Sequence, residues 1–203
     1  SNLTIQLAGS EPEKYGVCAK IIESKGYDEI NLNIGCPSDK VIKGKFGACL
    51  MNSPKLVADC ILEIKNACNL PISIKTRLGL GYDEDLSLLF ELINETRDVG
   101  CEKYFIHARN AILTGLSPKK NRKIPKLRYE DVVVVRNKYK DIELYLNGGL
   151  EGISDIKNNI SIFDGLMIGR KIYDDPMFLR KIDKEIYNNE DVITREDIIE
   201  KYL

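Results

Sequence analysis

The sequence predicts an α/β fold of the (β/α)8 TIM-barrel kind, and three observations point there. Short β-forming runs alternate six times with stretches of helical period, the pattern of a parallel sheet flanked by helices. Along those runs one side-chain parity is almost wholly aliphatic, while the other is polar and most polar near the C-terminal ends. Right-handed crossovers leave an open doubly wound sheet or a barrel. A sheet covered by helices on both faces would be apolar on both parities, whereas a barrel enclosing a site at its C-terminal mouth gives this asymmetry. Finally, Asn147-Gly148-Gly149 and Gly169-Arg170 follow the last two runs, where barrels commonly hold phosphate.

The elements follow in order. Leu3–Leu7 is the first strand, with Ile5 and Leu7 on the aliphatic parity and Thr4 and Gln6 on the polar one. Ser10-x-x-Glu13 has capping-box spacing, and Pro12 falls in the first turn of the helix it would open. Glu29–Ile34 sets Ile30, Leu32 and Ile34 against Asn31 and Asn33. The stretch from Ser38 to Asn52 reads as a long glycine-containing loop, and loops of that length are usually functional lids or disordered. Ser53-Pro54 opens a helix with Val57, Cys60, Ile61, Ile64 and Cys68 on one stripe. Ile72–Thr76 carries Ser73 and Lys75 on the polar parity, continued by Arg77. Leu86, Leu89, Phe90 and Ile93 mark the next helix. Tyr104–Ala108 places Phe105 and His107 on the polar parity, Glu143–Leu146 places Tyr145 there, followed by Asn147, and Gly165–Ile168 places Met167 there. Six βα units are legible, so an eight-stranded barrel would here lack its first two strands. Thr194-x-x-Asp197 starts a further helix.

With 203 residues, 43% hydrophobic and 30% charged, the chain has the balance of a soluble globular domain and not of a disordered one. No apolar run approaches the roughly 18 residues of a membrane span. Thirty basic and thirty-one acidic residues give a net charge of −1, so any nucleic-acid site must be a local one. Lys119, Lys120, Arg122, Lys123, Lys126 and Arg128 supply a local cluster: six cations and no acid within ten residues, after a strand and therefore at the mouth. Such a run is ordinarily solvated surface; beside a pocket it can grip a phosphate backbone. Six cysteines without C-x-x-C spacing and a single histidine, His107, give no zinc pattern and no disulfide framework. No metal is expected, the thiols read as reduced, and the expected location is inside the cell, in the cytoplasm.

The polar parity brings Gln6, Asn33, Lys75, His107 and Asn147 to one rim. A lysine inside a barrel needs an anionic partner, because burying it unpaired is costly. Cys36, in Asn33-Ile34-Gly35-Cys36-Pro37-Ser38, directly follows a strand. A thiol there serves as nucleophile or proton donor, or is an inert buried group; with His107 on the same rim, a Cys/His hydrolase is one alternative. Neither G-x-G-x-x-G nor a P-loop is present, so a Rossmann or Walker nucleotide site is not supported.

These motifs, taken together, resemble a known family. Asp28 to Ser38 (DEINLNIGCPS), Phe46 to Met51 (FGACLM), Ile74-Lys75-Thr76-Arg77, Ile106-His107-Ala108-Arg109, Asn147-Gly148-Gly149 and Gly165 to Arg170 (GLMIGR) resemble the tRNA-dihydrouridine synthases, in the family's order. Gly115 to Arg122 (GLSPKKNR) is similar to the A-type subfamily, which acts on D-loop uridines 20 and 20a. The likeness runs from Leu3 to Phe178 and implies an FMN-linked barrel followed by a small helical RNA-binding domain. By that resemblance residues 1–178 are part of the catalytic barrel and 179–203 begin the tRNA-binding domain, so the chain is a truncated piece of such a protein.

The implied reaction is FMN-dependent reduction of a tRNA uridine to 5,6-dihydrouridine, with NADPH as reductant. The resemblance assigns Gln6, Lys75, His107, Asn147, Gly148, Gly149, Gly169 and Arg170 to FMN, Cys36 to the proton donor, Asn33 to the neighbourhood of the target base, and Lys119 and Arg122 to tRNA. The implied partners are tRNA, through its D-loop, and NADPH; nothing points to a membrane or a protein partner. An FMN barrel acting on a free pyrimidine and a non-catalytic RNA-binding remnant are the alternatives. The basic loop opposes the first, and the retained Cys36 and Lys75 oppose the second.

Overall fold

The computed structural model describes residues 3–190 and 194–202. Six parallel strands form one sheet in sequence order: β1 (Thr4–Leu7), β2 (Glu29–Asn33), β3 (Ile72–Arg77), β4 (Lys103–His107), β5 (Glu143–Asn147) and β6 (Gly165–Met167). Among the described residues β1 and β6 do not pair with each other, so the barrel is not closed. The strand crossovers carry α1 (Pro12–Ser24), α2 (Asp39–Lys43), α3 (Pro54–Ala67), α4 (Ser87–Asp98), α5 (Tyr129–Lys138) and α6 (Ile153–Asn159). After β6 come α7 (Arg170–Asp174), α8 (Phe178–Tyr187) and α9 (Arg195–Tyr202). Residues 191–193 and 203 of the segment assigned to a second domain lie outside the described residues.

The aliphatic parity makes the core. Ile30, Leu32, Ile74, Ile106, Leu144 and Leu146 are fully buried, together with Val57, Ile61, Ile64, Leu89, Leu92 and Ile93 from α3 and α4. Here α1 packs on α3 and α3 on α4. Tyr104 shares that buried layer, and its hydroxyl lies 2.8 Å from Thr96 Oγ1 and donates to the Cys101 carbonyl at 3.0 Å, as a buried phenol requires. The register aligns the polar parity across the sheet: Gln6 faces Asn31, Asn33 faces Lys75, Arg77 faces His107, and His107 faces Asn147.

Three local expectations need correction. The residue capping α1 is Glu11, not Ser10, and no side chain caps that end; Pro12 at the first helical position starts the helix without it. The Ser38–Asn52 stretch is not a long open loop. Ser38 Oγ accepts from the Val41 N–H at 3.4 Å to cap α2, and Gly47–Asn52 forms a 3-10 turn with Ala48, Leu50 and Met51 buried. Apolar side chains in that stretch dock into the core, so ordering entropy is offset by burial. The basic run is not wholly solvated either. Arg128 is only 3% exposed, pairs with Asp131 at 3.0 Å and donates to Asn110 Oδ1 at 2.8 Å, so it braces the fold. The Thr194–Asp197 box forms as expected: Thr194 N–H donates to Asp197 Oδ2 at 2.7 Å and Asp197 N–H to Thr194 Oγ1 at 3.1 Å.

Candidate active site

The C-terminal strand ends surround a cavity of about 320 Å³, at the lower end of the range that holds small molecules. Gln6 of β1, Asn33 of β2, Cys36 just beyond it, Lys75 and Arg77 of β3, His107 of β4 and Asn147 of β5 all line it. Gly148, Gly149, Gly169 and Arg170 complete the far wall. Arg122 reaches the cavity from the long β4–α5 connection, whereas Lys119 is exposed on the same connection and does not line it.

Cys36 is held by its backbone. Asn33 Oδ1 accepts the N–H groups of Gly35 and Cys36, both at 3.1 Å, closing a tight turn after β2. The Cys36 carbonyl accepts the Ala48 N–H at 3.0 Å, tying that turn to the 3-10 segment. The Cys36 thiol faces Ser38 Oγ at 3.5 Å. Arg77, not singled out from the sequence as a site residue, locks the turn from below. Its Nε donates to the Gly35 carbonyl at 2.9 Å, and its Nη1 donates to the carbonyls of Asn110 and Asn121 at 2.9 and 3.1 Å. It therefore joins the Cys36 turn to the loop that carries Arg122. Asn121, fully buried, organises that loop by bonding both backbone groups of Ile112. The sequence signal for Arg77 was its place on the inward parity; what it bonds is set by loops distant in sequence.

Arg77→Met should destabilise the protein by about 1–3 kcal/mol, since three carbonyls lose a buried donor while the desolvation of one charge is relieved. Denaturant unfolding measures it, and an unchanged midpoint would show that the three bonds do not brace the loops.

The cavity is electropositive. Lys75, Arg77, Arg122, Arg170 and Lys171 line it, against one carboxylate, Glu151, among the described residues. Burial, and then the Arg77 charge, pull the Lys75 ammonium down to about 8. Burial likewise lowers the Arg77 guanidinium to about 10. His107 is 9% exposed and is driven to about 2, by burial first and then by Arg77, Lys75, Arg109 and Arg170, so its imidazole is neutral at physiological pH. Its Nδ1 and the Nε of Arg122 are buried without a protein partner; groups of this kind ordinarily bond something. Gly148 stands at φ +102°, and a Cβ there would come within 2.9 Å of His107 Nε2, so only glycine fits. A Cβ on Gly169 would meet nothing within 4 Å. The open space at Gly169 lies in a cavity lined by cations, a setting for an anionic group such as a phosphate.

A family profile described as dihydrouridine synthase (Dus) matches residues 1–202. The chain belongs to the dihydrouridine synthase family. The tRNA-dihydrouridine(20/20a) synthase of Vibrio parahaemolyticus is 42% identical over 201 residues, covering 98% of this chain and 62% of that protein. The protein of the same name from Pseudomonas putida is 39% identical over 198 residues, covering 97% and 59%. That of Escherichia coli is 42% identical over 190 residues, covering 93% and 55%. The chain thus spans less than two thirds of the length of the curated relatives it matches. Among solved structures, 6-hydroxypseudooxynicotine amine oxidase from Pseudomonas geniculata N1 superposes with a TM-score of 0.61 at 12% identity, covering 87% of this chain and 29% of that one; the likeness is one of fold. In this member of the family, the eight positions that the resemblance would give to flavin, from Gln6 to Arg170, all line one cavity, with Cys36 and Asn33 at its rim. No described helix is long and apolar enough to cross a membrane.

Proposed function

We propose that the complete protein carrying this chain reduces the C5–C6 double bond of uridine in the D-loop of tRNA, at position 20 or 20a, using FMN and NADPH. The observation that carries this reading is a single electropositive cavity at the barrel mouth that gathers Cys36, Lys75, His107 and the two glycine-ended strands. The relatives bearing the dihydrouridine(20/20a) name support the substrate. The residues present fit FMN. The backbone at Gly148, Gly149 and Gly169, with Arg170, would hold its phosphate; Gln6, Lys75, His107 and Asn147 would hold its ring. The unpartnered His107 Nδ1 and the space beside Gly169 are the observations that support the fit.

When bound and reduced, FMN supplies a hydride to C6 of the uracil. Cys36 then gives its thiol proton to C5 as a general acid, which requires a thiol rather than a thiolate at rest. Lys75 would supply a positive charge to the flavin ring, and neutral His107 would donate or accept a hydrogen bond without adding charge. Asn33 fixes the turn on which Cys36 stands, next to the base. Entry of the base requires that it leave its stack in the tRNA. Residues 1–178 serve as the catalytic barrel, and the segment 179–203 leads into a helical tRNA-binding domain. The exposed Lys119 and the cavity-facing Arg122 favour a polynucleotide over a free pyrimidine.

Mass-spectrometric mapping of dihydrouridine in unmodified tRNA, incubated with the complete protein, FMN and NADPH, tests the reading. A gain of two hydrogens at position 20 or 20a is expected; reduction of free uracil but not of tRNA would overturn it. Lys119→Ala combined with Arg122→Ala should weaken tRNA binding and reduce the log–log salt slope by roughly 1–2 units, because two phosphate contacts are lost. Flavin reduction by NADPH should keep its rate, and an unchanged slope would place this loop away from the RNA.

A further inference from the structure

Beneath the cavity, inward-facing polar side chains of adjacent strands form one continuous chain of hydrogen bonds. Lys103 Nζ donates to Glu29 Oε2 at 2.7 Å, and Ser73 Oγ donates to Glu29 Oε1 at 2.5 Å. Asn31 Nδ2 donates to Ser73 Oγ at 2.8 Å, and Gln6 Nε2 donates to Asn31 Oδ1 at 2.7 Å. Asn33 Nδ2 then donates to Gln6 Oε1 at 3.1 Å, and the freed Asn33 Oδ1 takes the Gly35 and Cys36 N–H groups. The register makes the chain possible, since Asn31 lies between Gln6 and Ser73 on paired strands.

The direction of every bond follows from its first member. A carboxylate only accepts. With Glu29 accepting from Lys103 and Ser73, the serine proton is committed downward, so Ser73 Oγ must accept from Asn31. Asn31 therefore presents its oxygen to Gln6, Gln6 presents its oxygen to Asn33, and Asn33 presents its oxygen to the Cys36 turn. Reversing any amide would set donor against donor or oxygen against oxygen. Burial makes the polarity firm: Glu29 is 7%, Asn31 3% and Ser73 0% exposed, where an unmade bond is expensive.

We propose that Glu29, Ser73 and Asn31 are positioning residues: they set the hydrogen-bond polarity of Gln6 and Asn33 and, through Asn33, hold the Cys36 turn. A second consequence concerns the ligand. The Gln6 carbonyl already accepts from Asn33, and Gln6 Nε2 keeps one N–H beyond its bond to Asn31, so Gln6 has a donor to offer an acceptor atom of the ligand. The effect on catalysis rests on the reductase reading above; the effect on the turn does not.

The test uses Ser73→Ala, Ser73→Thr and Glu29→Gln in the complete protein. Glu29→Gln keeps the shape but replaces one acceptor oxygen with a donor. Iodoacetamide labelling, resolved thiol by thiol by peptide mass spectrometry, reads the Cys36 turn, with Cys18 as internal reference. Ser73→Ala and Glu29→Gln should raise the Cys36 labelling rate by about fivefold, the worth of one lost hydrogen bond. Ser73→Thr should restore it, and Cys18 should not change. The same two variants should slow oxidation of the reduced flavoprotein by tRNA. An unchanged Cys36 rate in folded Ser73→Ala would overturn the proposal, and so would failure of threonine to rescue. Should the wild-type protein reduce no tRNA uridine, the reductase reading falls, and the labelling result still decides the network.

Discussion

Replacing Cys36 with alanine is expected to slow the reoxidation of reduced flavoprotein by tRNA by about 10²–10⁴-fold, the usual worth of a positioned general acid. FMN retention and reduction by NADPH should stay at wild-type levels. In the proposed reaction, hydride arrival at C6 leaves negative charge at C5, and a proton must reach that carbon. Cys36 is the thiol at the cavity rim, on a turn held by Asn33, Ala48 and Arg77. His107, driven to about 2 by burial and surrounding cations, carries no proton to spare at neutral pH. Cys36→Ser should be nearly as slow, because a hydroxyl is the poorer acid. Cys49→Ala, in the adjoining 3-10 turn, should lose far less. Stopped-flow absorbance in a single turnover gives the rate; a Cys36→Ala protein that reoxidises at wild-type speed would assign the proton to another group.

Lys75→Met should move stability and ligand affinity in opposite directions. Burial and the neighbouring Arg77 lower the Lys75 ammonium from 10.5 to about 8. Below pH 8 the lysine is charged in both folded and unfolded chains, and the folded protein bears the full desolvation. Between about 8 and 10.5 the unfolded chain binds more protons, so folded stability rises with pH until both forms are neutral. The cofactor-free Met variant should therefore be more stable than wild type at pH 7, by about 2–3 kcal/mol. That advantage should fade across the same pH window. Its FMN affinity should meanwhile fall roughly 10–100-fold, the loss of one charge-assisted contact. Urea unfolding at pH 7 and pH 10.5, with flavin titration alongside, measures both. A Met variant less stable than wild type at pH 7 would mean that Lys75 is already well paired without the cofactor.

Much of this was legible in the sequence because strand parity is a two-residue code. Asn31, Asn33, Lys75 and His107 fall on one face whatever the loops do, and the six strand positions agree with the structure to within a residue at either end. What could not be read depends on contacts between distant segments. Arg77 bonds Gly35, Asn110 and Asn121, and no local pattern pairs those positions. Arg128 looked like one more surface cation until Asp131 and Asn110 enclosed it. The Ser38–Asn52 stretch read as a loop, because whether its turns order depends on Ser38 capping α2 and on Leu50 and Met51 finding the core. Asn31 and Ser73 were visible as polar residues on the inward parity, but Glu29 was not singled out, and the direction of the chain required knowing that this carboxylate anchors it.

The strands pair in strict sequence order, and this bears on how the molecule comes into being. A chain emerging from the ribosome at roughly 5–20 residues per second can lay each βα unit against the one just completed, with no strand waiting for a distant mate. Each pairing spans a single crossover, which keeps loop closure modest for a parallel sheet. The cavity is different. Gln6 and Arg170 line it together, and they are 170 − 6 = 164 positions apart, so it exists only after the last strand has docked. Any ligand that requires the whole cavity recognises the sheet with β1 through β6 in place and none of its precursors. It therefore draws the folding equilibrium forward by mass action, and under the proposed function the supply of FMN would help set how much of the newly made protein survives.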